Sequence, residues 1–393
     1  MSKDFKIRKL LEIARWTTSN SSGRINLLRG VAIIGVVLVH SSQLREVNRI
    51  KSISDVLSWG QYGVELFFLI SGFLMALLYS GQGTFTTGVF WKRRVARILP
   101  LWIFFSSIGF LGWLVNQRAI KGWGAYNELR IRFEENGLWL DNPLVALLLT
   151  VVFLGWLSPA IWTATVPGGW SIQSEMAHYS LFAAFRKLSI SSWLILLVAV
   201  GVLFASLKFL ELVDPEGYSP LDAIFRTKLF VTAGFFFIGI WLFEMVFSAQ
   251  RRRWNHLAGQ ILLFAVFAAL SSYVGLPFGE FWKSLVFVVA AIVCVGFLEQ
   301  LEGLKRLLSF LGKYSYFLYF AHFFILWLLN RYFIGPAYAF LIESGFSPTL
   351  VYGALVSFAF SAALGLGLIF AIPSWKYFEK PIINSARGEK STG

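Results

Sequence analysis

Several ionisable side chains lie inside long apolar stretches of the sequence. His40, Glu65 and Glu175 each interrupt such a stretch, and three further groups do the same: His178, Glu244 and His322. A charged residue at the centre of a membrane helix costs about 2.5–3.5 kcal/mol on insertion scales, so each is a candidate for function. A histidine near carboxylates and away from bulk water suits general-base catalysis. We predict that the first three are catalytic. A buried polar cluster that only fixes helix packing is the alternative, and we assign the second three to it.

A basic motif offers a second kind of chemistry. Arg94 and Arg97 follow Lys92 and Arg93, and residues three apart share a helix face. Guanidinium groups grip phosphate oxygens two at a time, so we predict an anion clamp of Arg94, Arg97 and Arg29. The alternative is that basic residues only anchor the cytoplasmic side of a membrane protein, which explains Lys92 and Arg93 without further function.

The composition indicates which elements position these groups. Hydrophobic residues make up 57% of the 393 residues and charged residues 14%, whereas soluble domains are about half apolar and a quarter charged. This excludes a disordered chain and an ordinary soluble enzyme, and predicts an all-α, polytopic helical membrane protein. The net charge of +14 fits basic cytoplasmic loops better than nucleic-acid binding. A single cysteine, Cys294, excludes a disulfide framework and a cysteine-based zinc site.

Hydropathy predicts about ten transmembrane helices and one re-entrant segment. The predicted spans are 30–44, 62–80, 98–116, 171–186, 191–211, 229–248, 257–276, 282–298, 314–334 and 349–372. Residues 143–158 form the re-entrant segment, because a full crossing there would put the basic clusters on opposite sides. We therefore expect both termini inside the cell and the loop 117–142 outside. In that topology His40, Glu65 and Glu175 lie at a similar depth, towards the outer side.

The predicted domain organisation is simple. Residues 1–24 form a basic cytoplasmic segment without a visible cleavable signal peptide. Residues 25–381 form the membrane domain, and residues 382–393 form a cytoplasmic tail.

Six short motifs occur in a characteristic order along nearly the whole chain. They are Arg29-x10-His40, Tyr62–Phe73 (YGVELFFLISGF), Arg93–Pro100 (RRVARILP), Trp170–Glu175 (WSIQSE), Gly312–His322 (GKYSYFLYFAH) and Glu379–Pro381 (EKP). Together they resemble the acyltransferase-3 family of membrane acyltransferases, which modify bacterial surface polysaccharides, lipopolysaccharide and related acceptors.

The resemblance implies transfer of a short acyl group, most often acetyl, from cytoplasmic acyl-CoA to a saccharide hydroxyl. Arg29, Arg94 and Arg97 would hold the CoA phosphates. His40 would activate the hydroxyl or briefly carry the acyl group, and Glu175 would orient His40 or the acceptor. The predicted acceptor-binding residues are Trp170, Ser171 and Ser71.

The family also implies a multi-pass protein of the bacterial plasma membrane. Its partners would be acyl-CoA, a saccharide or glycolipid acceptor and the lipid bilayer. No metal is implied, because the acidic and histidine residues lack ligand spacing. The sequence leaves the oligomeric state open, and a homodimer is one option.

A proton-coupled transporter or flippase is the rival interpretation, since membrane-embedded Glu and His residues also form proton relays. The arginine motif favours the acyltransferase over the transporter, because a proton-coupled carrier needs no phosphate clamp. A third interpretation, a non-catalytic scaffold, fits poorly with the cost of so many buried polar groups.

Overall fold

The computed structural model describes residues 21–43, 50–79, 86–115, 143–154, 166, 168–185, 229–247 and 278–388. Its regular elements are helices, and no strand occurs within these ranges, so the all-α prediction is confirmed for them.

The helices of the first half of the chain carry most of the predicted site residues. They are α1 (Ser21–Ser42), α2 (Lys51–Leu57), α3 (Gly63–Tyr79), α4 (Thr87–Val115), α5 (Pro143–Val151), α6 (Trp170–Phe185) and α7 (Leu229–Phe247). A 3-10 turn, Ser58–Tyr62, joins α2 directly to α3.

The helices near the C-terminus follow one another with short connections. They are α8 (Phe278–Leu298), α9 (Glu302–Lys313), α10 (Ser315–Leu329), α11 (Gly335–Glu343), α12 (Pro348–Ser374) and α13 (Lys380–Arg387). Two π-helical turns, Asn330–Ile334 and Trp375–Glu379, join α10 to α11 and α12 to α13.

Among the described residues, five helical stretches are long and apolar enough to cross a membrane. These are Gly23–Ser42, Ser52–Tyr79, Thr87–Leu111, Ser315–Glu343 and Pro348–Arg387. They coincide with five predicted spans, and the shorter apolar helices Thr232–Phe243 and Lys283–Leu298 coincide with two more. The predicted spans 191–211 and 257–276 lie outside the described residues, so the number ten stays a prediction.

Five helical stretches extend beyond the apolar spans predicted for them, and two of these, Gly23–Ser42 and Ser52–Tyr79, begin before residues 30 and 62. Helix α4 begins at Thr87 and includes Lys92–Arg97, which the sequence assigns to a connection before a span at 98. The spans predicted to end at 334 and 372 continue as helix to Glu343 and Arg387. Lys and Arg are good helix formers, so in α4 the charged run Lys92–Arg97 ends the apolar stretch without ending the helix.

The predicted re-entrant segment begins with a helix too short to cross. Helix α5 has nine residues, or about 14 Å at 1.5 Å per residue, against a hydrocarbon core of about 30 Å. It ends in a turn in which Phe153 adopts a left-handed φ of 62° and stacks on Trp102. Residues 155–158 lie outside the described part, so the re-entrant path stays a prediction.

The described residues belong to two compact units. The central unit comprises those within Ser71–Trp282, and the terminal unit comprises those within Ala14–Ile70 and Lys283–Gly393. Each is described by itself below.

In the terminal unit, glycines allow α1 and α9 to pack backbone against backbone. A side chain on Gly30 would overlap the backbone of Leu308, and one on Gly312 would overlap Asn26. Small residues are the usual means by which membrane helices approach this closely. The other end of α1 is held by Tyr352 of α12, whose hydroxyl donates to the Ser42 carbonyl at 2.8 Å. These contacts fix the helix that carries Arg29 and His40.

In the central unit, aromatic packing fixes the helix that carries the arginine motif. Phe90 of α4 is fully buried between Tyr79 of α3 and Phe182 of α6. Further along α4, the buried Trp102 donates its Nε1–H to the Thr150 carbonyl at 2.9 Å. The segment between these two anchors holds Arg94 and Arg97.

Candidate active site

His40 lies next to a second histidine within the terminal unit. His40 is half-buried near the end of α1, and His322 of α10 is 1% exposed. Their ring centroids are 5.3 Å apart and the rings are tilted by 32°. We call these two residues the histidine pair.

Aromatic rings surround the histidine pair. The Phe323 ring lies 4.5 Å from the His40 ring and 4.1 Å from the His322 ring, centroid to centroid. Tyr319 packs edge-on against His322 at 5.9 Å. His322 also makes a 3.0 Å hydrogen bond from Nδ1 to the carbonyl of Leu318, one helical turn earlier. The orientation of His322 is therefore determined by its neighbours.

Glu175 is held by two hydroxyl groups within the central unit. The Ser71 hydroxyl donates to Oε1 at 2.8 Å, and the Tyr179 hydroxyl donates to the same oxygen at 2.5 Å. Tyr179 follows Glu175 by one turn of α6 and is 3% exposed. Two hydroxyl donors on one carboxyl oxygen fix the orientation of the Glu175 side chain.

Tyr179 also joins Glu175 to the arginine motif. The Arg94 guanidinium carbon lies 5.6 Å from the centre of the Tyr179 ring, within the range of a cation–π contact. Arg97 lies close enough for its charge to act on the same hydroxyl. We call Arg94, Arg97, Tyr179, Glu175 and Ser71 the arginine–carboxylate cluster.

The two arginines have no carboxylate partner within the described residues. Neither forms an ion pair there, whereas Arg24 does, with Glu299 at 2.5 Å. The Nε atom of Arg94 is buried without a hydrogen-bond partner in the described part of the chain, and so is that of Arg93. A buried guanidinium donor without a partner is costly, and an oxyanion would satisfy it.

The other predicted residues lie as follows. Arg29 is partly buried in α1, beside the contact with α9, and Glu65 is 1% exposed in the first turn of α3. Trp170 is the first residue of α6. The Ser171 hydroxyl donates to the carbonyl of Gly168 at 3.0 Å, so it serves the local turn that begins this helix.

The structure brings some of the predicted site residues together, and it adds Tyr179 and His322 to the candidate site. Arg94, Arg97, Glu175 and Ser71 share one cluster in the central unit. Arg29, His40 and Glu65 belong to the terminal unit, so a common clamp with Arg29 and the orientation of His40 by Glu175 stay predictions. Sequence reasoning missed Tyr179, although its spacing of four from Glu175 on a helix was a signal. It assigned His322 to packing, although the residue ends one of the six motifs.

The described helices, with their apolar surfaces and embedded charged groups, define an integral membrane protein. Residues 22–372 match the model of a family described as an acyltransferase domain. The chain therefore belongs to the acyltransferase-3 family and is an O-acyltransferase.

Relatives of known name fit this assignment. The exopolysaccharide production protein ExoZ of Rhizobium meliloti (strain 1021) is 26% identical over 343 residues, covering 85% of this chain and 92% of ExoZ. The O-acetyltransferase OatA of Staphylococcus aureus (strain NCTC 8325 / PS 47) is 29% identical over 111 residues, or 27% of this chain and 16% of OatA. Protein 2 in the picA locus of Rhizobium radiobacter is 26% identical over 185 residues, covering 44% of this chain and 87% of that protein. No solved structure matches the chain significantly.

Proposed function

We propose that the protein transfers an acetyl group from cytoplasmic acetyl-CoA to a hydroxyl of an exported or surface polysaccharide. The relatives support this in two ways: OatA is named an O-acetyltransferase, and ExoZ is named for exopolysaccharide production. The protein would lie in the bacterial plasma membrane with both termini in the cytoplasm, and acetylate its acceptor at the outer side.

The observation that carries the proposal is the state of the two arginines. Arg94 and Arg97 lie one turn apart on α4 without a carboxylate partner among the described residues, and Arg94 has a buried, unsatisfied Nε–H. Acyl-CoA carries several phosphate groups, which match guanidinium donors in charge and geometry. These residues fit the donor, and Arg29 would add a third guanidinium.

His40 would supply the base. The acceptor hydroxyl oxygen attacks the thioester carbonyl carbon, a C–O bond forms and the C–S bond breaks. The hydroxyl proton passes to a ring nitrogen of His40 and then to the departing CoA sulfur, which leaves as the thiol. The half-buried position of His40 suits this role, because a base must reach its substrate and still be shielded from bulk water.

Glu175 would bind the acceptor. Its Oε1 accepts from Ser71 and Tyr179, while Oε2 accepts no hydrogen bond from the described residues. A carboxylate held in this way presents a fixed acceptor to a sugar hydroxyl, and Trp170 would offer an aromatic face to the sugar ring.

The test is transfer of radiolabelled acetyl from acetyl-CoA to alkali-treated surface polysaccharide of the cell that makes the protein. Mild alkali removes existing O-acyl groups and leaves hydroxyls to be modified. Purified wild-type protein in lipid vesicles should move label into the polymer. A transporter would move none, and label that stays in acetyl-CoA would contradict the proposal.

Topology has its own test. Cys294, which is exposed, is first replaced, and a single cysteine is placed at Glu128 in the predicted outer loop. A membrane-impermeant thiol reagent should label Glu128→Cys only from outside the cell. Labelling only from the cytoplasmic side would overturn the assignment of the arginines to the donor face.

A further inference from the structure

We propose that His322 acts through His40, as the hydrogen-bond acceptor that stabilises the protonated His40 ring during transfer. The inference rests on the proposed role of His40 as base. In this proposal His322 is a positioning residue, whereas the sequence analysis assigned it to helix packing.

The hydrogen bond from His322 to Leu318 defines which ring nitrogen is a base. A backbone carbonyl only accepts, so the 3.0 Å contact requires the proton on Nδ1 of His322. In the neutral ring, Nε2 then carries a lone pair and no proton. This atom is buried and has no hydrogen-bond partner within the described residues.

A buried lone pair without a donor is costly unless a donor arrives during the reaction. The nearby group that acquires a proton in the proposed reaction is His40, whose ring centroid lies 5.3 Å from that of His322. Two imidazoles that share an edge-to-edge N–H···N hydrogen bond have nearly this separation. Rotation of the His40 ring, which hydrogen-bonds to the Gln43 side chain in this structure, would form the bond, and catalytic hydrogen bonds commonly tighten only in the substrate complex.

Burial distinguishes the roles of the two rings. His40 is half-buried, as a base that meets substrate must be, whereas His322 is 1% exposed. Phe323 contacts both rings and keeps the surroundings apolar, which makes a positive charge on His40 expensive without a partner.

The proposed step is as follows. The acceptor hydroxyl gives its proton to one nitrogen of His40 as the C–O bond forms. The N–H on the other nitrogen of His40 donates to Nε2 of His322 while the ring is positively charged. The first proton then passes to the CoA sulfur as the C–S bond breaks, and both histidines return to their neutral forms. A base whose second nitrogen is held by a third group is the general logic of catalytic triads.

Two substitutions separate this role from packing. In His322→Asn the amide nitrogen replaces Nδ1 and keeps the donor to Leu318, but the acceptor at Nε2 is lost. In His322→Gln the amide lies at the position of Nε2 and its oxygen can accept from His40, but the donor to Leu318 is lost. The matched control is His178→Asn, since His178 is equally buried and hydrogen-bonds to Thr232 at 3.0 Å, within the central unit.

The readouts are kcat and the KM for acetyl-CoA, with vesicles and alkali-treated polysaccharide as above. His322→Asn should lower kcat about 10- to 100-fold with unchanged KM, less than the loss of a general base itself, which is about 10²–10⁴-fold. His322→Gln should recover kcat to within about tenfold of wild type, and His178→Asn should keep the wild-type kcat. If packing is the only role, the order reverses: Asn matches wild type and Gln is the more damaged.

Failure of this inference is distinguishable from failure of the proposed function. If wild type transfers acetyl and His40→Ala does not, but His322→Asn keeps the wild-type kcat, only the role of His322 is wrong. If wild type transfers no acetyl, the proposed function is wrong.

A measurement on the unmodified protein covers the case in which His322→Asn does not insert. Nitrogen-15 NMR resolves imidazole tautomers, and His322 is the only histidine followed by phenylalanine in the sequence, so paired His and Phe labelling selects it. We expect the Nδ1–H tautomer. A proton on Nε2 would remove the lone pair and overturn the inference.

Discussion

The arginine–carboxylate cluster of the central unit and the histidine pair of the terminal unit use polar groups in opposite ways. The first contains charged groups: Glu175 is fixed by the hydroxyls of Ser71 and Tyr179, and Arg94 packs on the Tyr179 ring. The second contains two imidazoles among aromatic rings. Fixed charges suit binding of a charged donor, whereas imidazoles suit movement of protons. In the proposed function the first region would therefore bind substrates and the second would perform the chemistry, with Arg29 of the terminal unit as an additional contact to the donor.

The largest effect on activity is expected from a substitution that breaks the histidine pair. His40→Ala should lower kcat by about 10²–10⁴-fold, the usual value of a general base, and more if His40 also carries the acyl group. Membrane insertion should persist, because the change removes a polar group from an apolar setting. The measurement is acetyl transfer by purified protein. Wild-type transfer by His40→Ala would remove this residue from the mechanism, and labelled acyl-protein in wild type alone would favour the covalent route.

The next effect concerns the arginines. Arg94→Lys keeps the positive charge but loses the planar group that grips two phosphate oxygens, and a charge-assisted hydrogen bond contributes about 1.5–3 kcal/mol. Affinity for acetyl-CoA should fall about 10- to 100-fold at fixed ionic strength. Arg93→Lys is the comparison variant: the Nε of Arg93 is equally buried and has no hydrogen-bond partner within the described residues, but Arg93 does not share the helix face of Arg94 and Arg97, so we expect wild-type binding. If both arginines only anchor the protein in the membrane, the two variants should bind acetyl-CoA equally and as well as wild type.

A smaller effect tests the link between Glu175 and Arg94. Tyr179→Phe keeps the ring under the guanidinium but removes one of the two donors to Glu175, so we expect about tenfold weaker acceptor use, with donor affinity unchanged. Tyr179→Leu also removes the ring and should weaken acetyl-CoA binding as well. Steady-state KM values for polysaccharide and acetyl-CoA separate the two. If Tyr179→Phe and Tyr179→Leu have the same KM for acetyl-CoA, the cation–π contact does not contribute to donor binding.

Substitutions in the packing that holds α1 should have the smallest effect on activity. Their main effect should be on the stability of the fold. Gly30→Ala places a methyl group against the Leu308 backbone, and overpacking of this kind costs about 1–3 kcal/mol. Gly23→Ala is the control, since a methyl there meets nothing within 4 Å. Thermal unfolding in detergent should show a lower Tm for Gly30→Ala and an unchanged or higher Tm for Gly23→Ala. Equal Tm values would mean that the α1–α9 contact is looser than described.

Candidate site residues could be found in the sequence because polar groups are rare within membrane helices. His40 and Glu175 were identified by the cost of placing such groups in an apolar environment, and the arginine motif by its three-residue spacing and the affinity of guanidinium groups for phosphate. Their partners were harder to find, because Tyr179 is an ordinary residue of an apolar helix. Its importance comes from its contacts with Glu175 and Arg94, and sequence spacing gives only the first of these.

Helix limits were the least predictable part of the fold. Hydropathy detects where a helix enters the membrane, but helix formation depends on backbone propensity, which Lys92–Arg97 satisfy as well as apolar residues do. The contact between His322 and His40 was also hidden, because it joins the distant helices α1 and α10. A sequence read one segment at a time does not contain that contact.

The division between binding and chemistry is tested most directly by one paired measurement on Arg94→Lys and His40→Ala. For each, acetyl-CoA affinity is measured first, and the single-turnover rate of acetyl transfer is then measured at saturating acetyl-CoA. We expect Arg94→Lys to weaken binding and keep the wild-type rate at saturation, and His40→Ala to bind normally and lose the rate. The division would be contradicted if both variants lost both acetyl-CoA affinity and the single-turnover rate. It would also be contradicted if Arg94→Lys lost the rate and His40→Ala lost the affinity.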